Sequence, residues 1–84
     1  MKISERKEFG RHIVSDPAIC GGQLTFKGTR IFVKDVLEMV SQGWEWEKIS
    51  EAWFGRINSD AIAEAVALAN NALLQENDKQ RRAA

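Results

Sequence analysis

Few side chains in this chain can carry out covalent or acid–base chemistry. His12 is the only histidine and Cys20 is the only cysteine. Nucleophilic catalysis needs a nucleophile, a base and a group that orients the base, and these two residues do not supply that set. Asp35 and Glu38 lie one helical turn apart and could face a cleft, but nothing else in the sequence marks them as an acid and base pair. We therefore predict that the chain is not an enzyme and has no catalytic residues.

The same scarcity argues against bound metals and cofactors. A structural zinc site needs about four cysteine and histidine ligands, and the chain has one residue of each type. Neither GxGxxG nor GxxxxGK, the glycine patterns that cradle phosphates, is present. We predict no metal ligands, no cofactor and no small-molecule substrate. His12 is expected to face solvent or lie at a strand edge, and Cys20 is expected to be a small buried apolar residue.

Basic side chains are the remaining candidates for a binding site. Acidic and basic residues number twelve each, so the chain as a whole has no strong positive field. Their distribution is uneven, because residues 17–34 carry three bases and no acid, whereas residues 35–60 carry six acids and two bases. The basic segment could contact phosphates or an acidic partner, or it could be an ordinary solvated loop. The residues that we predict as contacts to nucleic acid are Lys27, Arg30, Lys34, Arg56, Asn58 and Ser59.

A small β-hairpin near the N-terminus must position most of these bases. Residues 12–32 alternate short runs of β-forming residues with glycines and turn signals, which predicts a hairpin of two or three short strands. Gly21-Gly22 and Gly28 are expected at tight bends that require positive φ. Residues 1–11 are charged and weakly patterned, and we predict an N-terminal arm or a short, weakly packed helix there.

Two helices should follow the hairpin. Four apolar residues recur at i, i+3, i+4 and i+7, which predicts a first helix at about 34–42 that ends at Gly43. A second helix is predicted at about 46–53, with Trp46 and Trp53 on its inner face and charged residues on its outer face.

A third and longer helix is predicted at about 59–76. Asn58 has the side chain of a good N-cap, and Ile57 before it could pack on Ile62 as a hydrophobic staple. Residues 77–84 are expected to form a frayed basic tail. The predicted fold is mostly α with a small N-terminal β-hairpin, in one domain spanning about residues 12–76.

The third helix carries more apolar surface than one small domain covers. Its inner stripe includes Ile62, Ala65 and Leu73, and further alanines widen the apolar arc. Alanine is also a good helix former, so part of this composition needs no partner. Trp44 is the tryptophan that we expect to be exposed. The residues that we predict at a partner or homodimer interface are Trp44, Ala63, Ala67, Leu68 and Leu74.

Two short helices joined by a tight turn, after a packing helix, are the outline of a helix-turn-helix. In that arrangement the start of the last helix would face DNA. Between Ser59 and Glu76, however, there is no lysine or arginine, and Asp60 makes the first turn acidic. Binding to DNA and a pure protein-interaction role therefore both remain as hypotheses.

The compartment is predicted from three features of the sequence. No stretch approaches the roughly 20 apolar residues of a membrane helix. The first residues lack the apolar core of a signal peptide, and the lone cysteine fits a reducing compartment. We predict a cytoplasmic protein that does not contact membranes.

Several short motifs together form a recognisable pattern. They are Ile13-Val14-Ser15-Asp16-Pro17, Ile19-Cys20-Gly21-Gly22, Gly28-Thr29-Arg30-Ile31 and Val33, followed by Gly43 and Ile49. From about His12 to Asn70 the chain thereby resembles one bacterial family, the domain of unknown function 433 (DUF433). The resemblance implies a β-hairpin joined to a three-helix, homeodomain-like bundle that is often a dimer. It also implies an antitoxin that is accompanied by a nuclease-like toxin.

Within these motifs we predict mainly structural roles. Thr29 would brace the start of the first helix. The guanidinium of Arg30 would bind Asp16 or Asp35 within the chain, or else a phosphate. The chain departs from the family pattern at Gln23-Leu24, Phe32 and Trp46. The residues assigned to the structural motif are Cys20, Gly21, Gly22, Gly28, Thr29 and Arg30.

Overall fold

Three short strands precede three helices in the computed structural model, which describes the backbone of residues 5–83 and the side chains of residues 5–79. The chain is therefore mostly helical with a small N-terminal sheet. The strands are β1 (Lys7–Phe9), β2 (Ile13–Ser15) and β3 (Leu24–Phe26), and a short 3₁₀ turn (Cys20–Gly22) lies between β2 and β3. The helices are α1 (Val33–Ser41), α2 (Trp46–Ala52) and α3 (Ser59–Ala83).

The sheet is antiparallel with the order β1-β2-β3. Ile13 in the central strand pairs with Phe9 on one side and with Phe26 on the other. The predicted arm at residues 1–11 is wrong where the structure describes it, because Lys7–Phe9 forms a strand on β2. All three residues of β1 are exposed, so no apolar alternation marked the strand in the sequence. Residues 1–4 of the predicted arm lie outside the described residues.

The glycine-rich turns adopt the conformations that their sequence predicts. Gly21, Gly22 and Gly28 all have positive φ, between 68° and 87°. The Thr29 hydroxyl donates to the Phe26 carbonyl at 2.8 Å and accepts the Ile31 amide at 3.0 Å, so Thr29 braces the turn that leads into α1. Cys20 is half-buried rather than buried.

The core lies where the sheet meets all three helices. Val36 from α1, Ile49 from α2 and Ile62 from α3 are completely buried, and Phe26 from β3 is 2% exposed. Burying side chains of this size stabilises the folded state by about 1.5–3 kcal/mol each. The full cluster consists of Ile13, Phe26, Ile31, Val33, Val36, Ile49, Ile57, Ala61, Ile62 and Ala65.

The tryptophans in and before α2 differ from the prediction in which of them are exposed. Trp44 is exposed, as expected, but Trp46 is also 37% exposed at the start of α2. Ile49 is the buried residue of this seven-residue helix, so the prediction that Trp46 faces the core is wrong. Trp53 is half-buried, and its Nε1 is buried without a hydrogen-bond partner among the described residues.

The third helix continues well beyond its predicted end at residue 76. It runs to Ala83, so the predicted frayed tail at residues 77–84 is wrong for residues 77–83. Ala84 lies outside the described residues. From Ala69 to Lys79 every side chain is exposed, and Leu73, predicted on the inner stripe, is 68% exposed. The core ends near Ala65, and the helix extends past it. None of the helices in the described residues is long and apolar enough to cross a membrane.

The N-cap of α3 gives a stability prediction. The Ala61 amide donates to Asn58 Oδ1 at 2.9 Å, which confirms Asn58 as the cap. We expect Asn58→Ala to lower the free energy of unfolding by about 1 kcal/mol, because it leaves a helix amide without its acceptor. Ser59→Ala, at the next exposed position, is the control and should change it by less than about 0.5 kcal/mol. Urea denaturation measures both, and equal losses would contradict the capping role.

Candidate functional site

Basic side chains meet where the sheet faces the loop between α2 and α3. A cleft of about 460 Å³ lies between the turn after β3 and residues 55–58. Its walls carry the side chains of Arg11, Lys27, Arg56 and Asn58. The structure thus brings together three of the residues that the sequence predicts as nucleic-acid contacts and adds Arg11, which precedes β2.

Two further clefts adjoin the first, and Arg56 lines all three. The second, also about 460 Å³, contains Arg30 and Thr29. The third, about 310 Å³, contains Arg30, Trp53 and Phe54. Among the described residues, no aspartate or glutamate lines any of the three clefts. We call Arg11, Lys27, Arg30 and Arg56, together with Phe54, the cationic surface.

Three of the four bases on the cationic surface have no ion pair with any residue that the structure describes. Lys27 Nζ lies 3.3 Å from Glu8 Oε1, and hydrogen bonds from Arg6 and then Lys27 hold the pKa of Glu8 below its ordinary value. Within the described part of the chain, no carboxylate lies within 4.0 Å of the guanidinium of Arg11, Arg30 or Arg56. These three charges are available to an external anion.

The intrachain partner predicted for Arg30 is wrong. Asp16 lies 3.5 Å from Arg6 Nε and accepts the Ala18 amide at 2.9 Å. Asp35 is exposed in the first turn of α1. Arg30 is itself exposed and lines two of the three clefts.

Phe54 is the most exposed large apolar side chain in the described part of the chain, at 88%. Its backbone has φ of 59°, a left-handed conformation that costs a non-glycine residue roughly 1–2 kcal/mol. The loop is held by backbone hydrogen bonds from Gly55 to Ser50 (2.8 Å) and by the Ser50 hydroxyl, which donates to the Ile57 carbonyl (2.6 Å). The fold therefore fixes this aromatic ring in solvent. The interrupted periodicity at Phe54-Gly55 was the sequence signal for it.

Two of the predicted nucleic-acid contacts, Lys34 and Ser59, line none of the three clefts. Lys34 Nζ lies 5.3 Å from the centroid of the Phe32 ring, a cation–π contact at the start of α1. Ser59 is the exposed first residue of α3 and lines none of the three clefts.

A carboxylate that the sequence interpretation did not single out anchors the edge of this surface. Glu64 in α3 accepts the backbone amides of Arg11 (2.9 Å) and His12 (2.6 Å) and lies 3.0 Å from His12 Nδ1. The Arg11 amide is the main reason that the pKa of Glu64 is lowered, and it outweighs the effect of burial. We call this arrangement the Glu64 latch. It fixes the turn that carries Arg11 against α3, and the only signal for it was one acid among the alanines of helix three.

His12 lies beside β2, where the sequence predicted a strand-edge position. Its carbonyl accepts the Lys27 amide at 2.7 Å, and its side chain is half-buried against Glu64. Within the described residues, no three side chains of His, Cys, Asp or Glu are grouped as metal ligands would be.

A second candidate site is an apolar groove between the sheet and α3. It has a volume of about 430 Å³, and no charged residue lines it in the described structure. Phe9 and Leu24 lie on its sheet side, and both are exposed. The residues on its α3 side are Ala65, Leu68, Ala69, Asn71, Ala72 and Gln75. We call this cavity the α3 groove.

The predicted interface residues do not form one surface. Leu68 lines the α3 groove. Ala63, Ala67 and Leu74 are exposed on a different side of α3, since successive residues turn by about 100° around a helix. Trp44 lies in the loop between α1 and α2 and does not line the groove.

Comparison with known proteins gives a family match. The profile of a family described as "Protein of unknown function (DUF433)" matches residues 13–69, which is more than half of the chain. No curated protein and no solved structure matches. The matched segment begins with β2 and includes the turns at Cys20–Gly22 and Gly28, α1, α2 and the first part of α3. The chain therefore belongs to the DUF433 family.

Proposed function

We propose that this chain is a small non-catalytic regulator of the antitoxin type, which binds a protein partner through the part of α3 that extends beyond the core. The observation that carries this proposal is Leu73, which is 68% exposed on a helix whose adjoining groove is apolar and uncharged. Apolar surface of this kind, next to polar surroundings, is typical of protein interfaces.

The length of α3 supports a role in binding. Its 25 residues span about 37 Å, and among the side chains that the structure describes only those of the first two turns are buried. A helical segment that is exposed to solvent is only marginally stable in water. A partner seated on the exposed residues 69–79 would stabilise this part of α3.

We also propose that the helices are related to the homeodomain-like helix-turn-helix and that the chain forms a homodimer. The succession of α1, α2 and α3 supports the first part. A two-fold dimer needs a surface that complements itself. The side of α3 toward the core offers both a projecting side chain, Leu73, and a recess, the α3 groove.

The partner that we propose is a nuclease-like toxin encoded by the adjacent reading frame. Its expression alone should arrest bacterial growth, and co-expression of this chain should restore growth. Leu73→Glu should abolish the rescue, because it replaces exposed apolar surface of α3 with a charge that a partner would have to bury. Asn70→Glu is the matched control, because position 70 is also exposed on α3 but already carries a polar side chain. It should rescue growth as well as the unchanged chain does.

Two results would contradict this proposal. One is a neighbouring product that does not slow growth, and the other is full rescue by Leu73→Glu. Thermal unfolding of both variants shows whether they are folded, and both should be, since each change is at an exposed position. Light scattering coupled to size-exclusion chromatography tests the dimer separately. A monomer at all concentrations would remove the homodimer from the proposal.

A further inference from the structure

We infer that the cationic surface binds single-stranded nucleic acid, with Phe54 stacking on a base and Arg11, Arg30 and Arg56 contacting phosphates. This activity is separate from the proposed binding of a protein partner, since the surface is formed by the sheet turns and the α2–α3 loop rather than by the α3 groove.

The first support is the placement of Phe54. A phenylalanine that is 88% exposed gives up hydrophobic stabilisation, and its left-handed backbone adds strain. Phe54, Gly55 and Arg56 all donate backbone hydrogen bonds to residues 50–53, and these bonds hold the loop backbone in the conformation that exposes the ring. An exposed aromatic ring on a well-held backbone is what proteins use as a platform for unpaired bases.

The second support is the charge around the ring. The chain has equal numbers of acids and bases, yet the three connected clefts contain four bases and no acid among the described residues. Arg56 lines all three of these clefts and Arg30 lines two of them, so the clefts are neighbours and the last of them reaches Phe54. A polyanion that follows these clefts would neutralise three unpaired guanidinium groups. Guanidinium groups also bind phosphate oxygens with two hydrogen bonds each.

The third support concerns the form of the nucleic acid. Duplex DNA is usually read by an element that protrudes into a groove, and α3 would be that element in a helix-turn-helix. The first turn of α3 is acidic, and the first lysine or arginine in the helix is Lys79. The basic side chains lie instead along concave clefts, and the ring of Phe54 beside them can stack only on the open face of a nucleobase. A flexible single strand satisfies both features, whereas a stacked duplex does not.

Fluorescence anisotropy with a fluorescein-labelled oligothymidylate of about 12 nucleotides tests the inference. We expect binding at roughly 50 mM salt that weakens steeply toward 200 mM, because each phosphate contact releases counterions. A blunt duplex of the same length should bind at least about tenfold more weakly, because its bases are not available for stacking. A polyglutamate competitor distinguishes nucleic acid from a general polyanion and should displace the oligonucleotide poorly.

Two variants separate stacking from charge. Phe54→Asn should weaken binding about tenfold and leave the salt dependence unchanged. Asparagine tolerates positive φ, so this variant should be at least as stable as the unchanged chain, and the loss cannot be ascribed to unfolding. Arg56→Gln should lower the slope of log affinity against log salt by about 0.7, the value for one phosphate of a single strand. Lys48→Gln, which removes an exposed base of α2 away from these clefts, should have little effect.

Several outcomes would overturn the inference. They are the absence of any anisotropy change at low salt, equal binding by Phe54→Asn, or tighter binding of the duplex. Displacement by polyglutamate as efficient as by the oligonucleotide would assign the surface to an acidic protein instead. Leu73→Glu should bind the oligonucleotide normally, so failure of the proposed partner binding and failure of this inference can be told apart.

Discussion

Replacing Gly10 with alanine is expected to lower the free energy of unfolding by about 3 kcal/mol, the largest effect that we predict for a change of one methyl group. Gly10 has φ of 74°, where an L-amino acid is strained by roughly 1–2 kcal/mol. A Cβ at this position would also overlap the carboxylate of Glu64. The Glu64 latch would have to open, and the amides of Arg11 and His12 would lose their acceptor.

Gly43→Ala is the matched control for this prediction. Gly43 has φ of 90°, but no heavy atom lies within 4 Å of the Cβ that alanine would add. The Gly43→Ala variant therefore has the backbone strain without the collision, and its free energy of unfolding should fall by only about 1–2 kcal/mol. Urea denaturation followed by tryptophan fluorescence measures both variants. If the two substitutions lower the free energy of unfolding equally, the collision with Glu64 does not affect stability.

Glu64→Gln is expected to lower the free energy of unfolding by about 2 kcal/mol at neutral pH. The carboxylate accepts two backbone amides and is only 21% exposed, and hydrogen bonds to a charged group contribute roughly 1.5–3 kcal/mol. Glutamine keeps the size of the side chain and one acceptor oxygen but loses the charge. The variant therefore measures how much the charge of the latch contributes.

The effect of Glu64→Gln should depend on pH in a defined direction. Because the Arg11 amide and the other latch contacts lower the folded-state pKa of Glu64, the folded state binds its proton less readily than the unfolded state does. The stabilisation is therefore complete above the ordinary value of 4.5 and is lost as pH falls through the lowered folded-state pKa. The difference in the free energy of unfolding between the unchanged chain and Glu64→Gln should therefore become smaller as the pH falls over that range.

Denaturation at a series of pH values down to about 2 checks this expectation. Glu8 also has a lowered pKa, but it is present in both proteins, so its contribution cancels in the difference. A difference between the proteins that stays constant through the acid range would show that the charge of Glu64 does not stabilise the fold.

The parts of the fold that could be predicted from the sequence are those determined by neighbouring residues. The cap at Asn58, the positive φ of Gly21, Gly22 and Gly28, and the start of α3 each depend on residues within a few positions. The strand β1 could not be predicted, because its exposed residues carry no pattern and its stability comes from pairing with β2. Local rules do not contain such pairings.

The residues of the candidate site could be predicted in part, but their arrangement in space could not. Lys27, Arg30 and Arg56 were identified because charge composition is visible in the sequence, but their convergence depends on packing between the sheet and α2–α3. Phe54 was seen only as a break in periodicity, since exposure follows from the tertiary fold. The helical spacing predicts that Trp46 faces the core, but Ile49 fills the short inner face of α2.

The Glu64 latch connects residues that lie 53 positions apart in the chain. A contact of such high sequence separation forms only after much chain entropy has been lost, so the β1–β2 hairpin should complete its docking late in folding. The turn at residues 10–12 and the exposed strand β1 should open before the helices do when acid protonates Glu64, as a local unfolding event that native-state hydrogen exchange can detect. Because Arg11 lies in this turn, such opening would remove one guanidinium from the cationic surface while the other two remain in place.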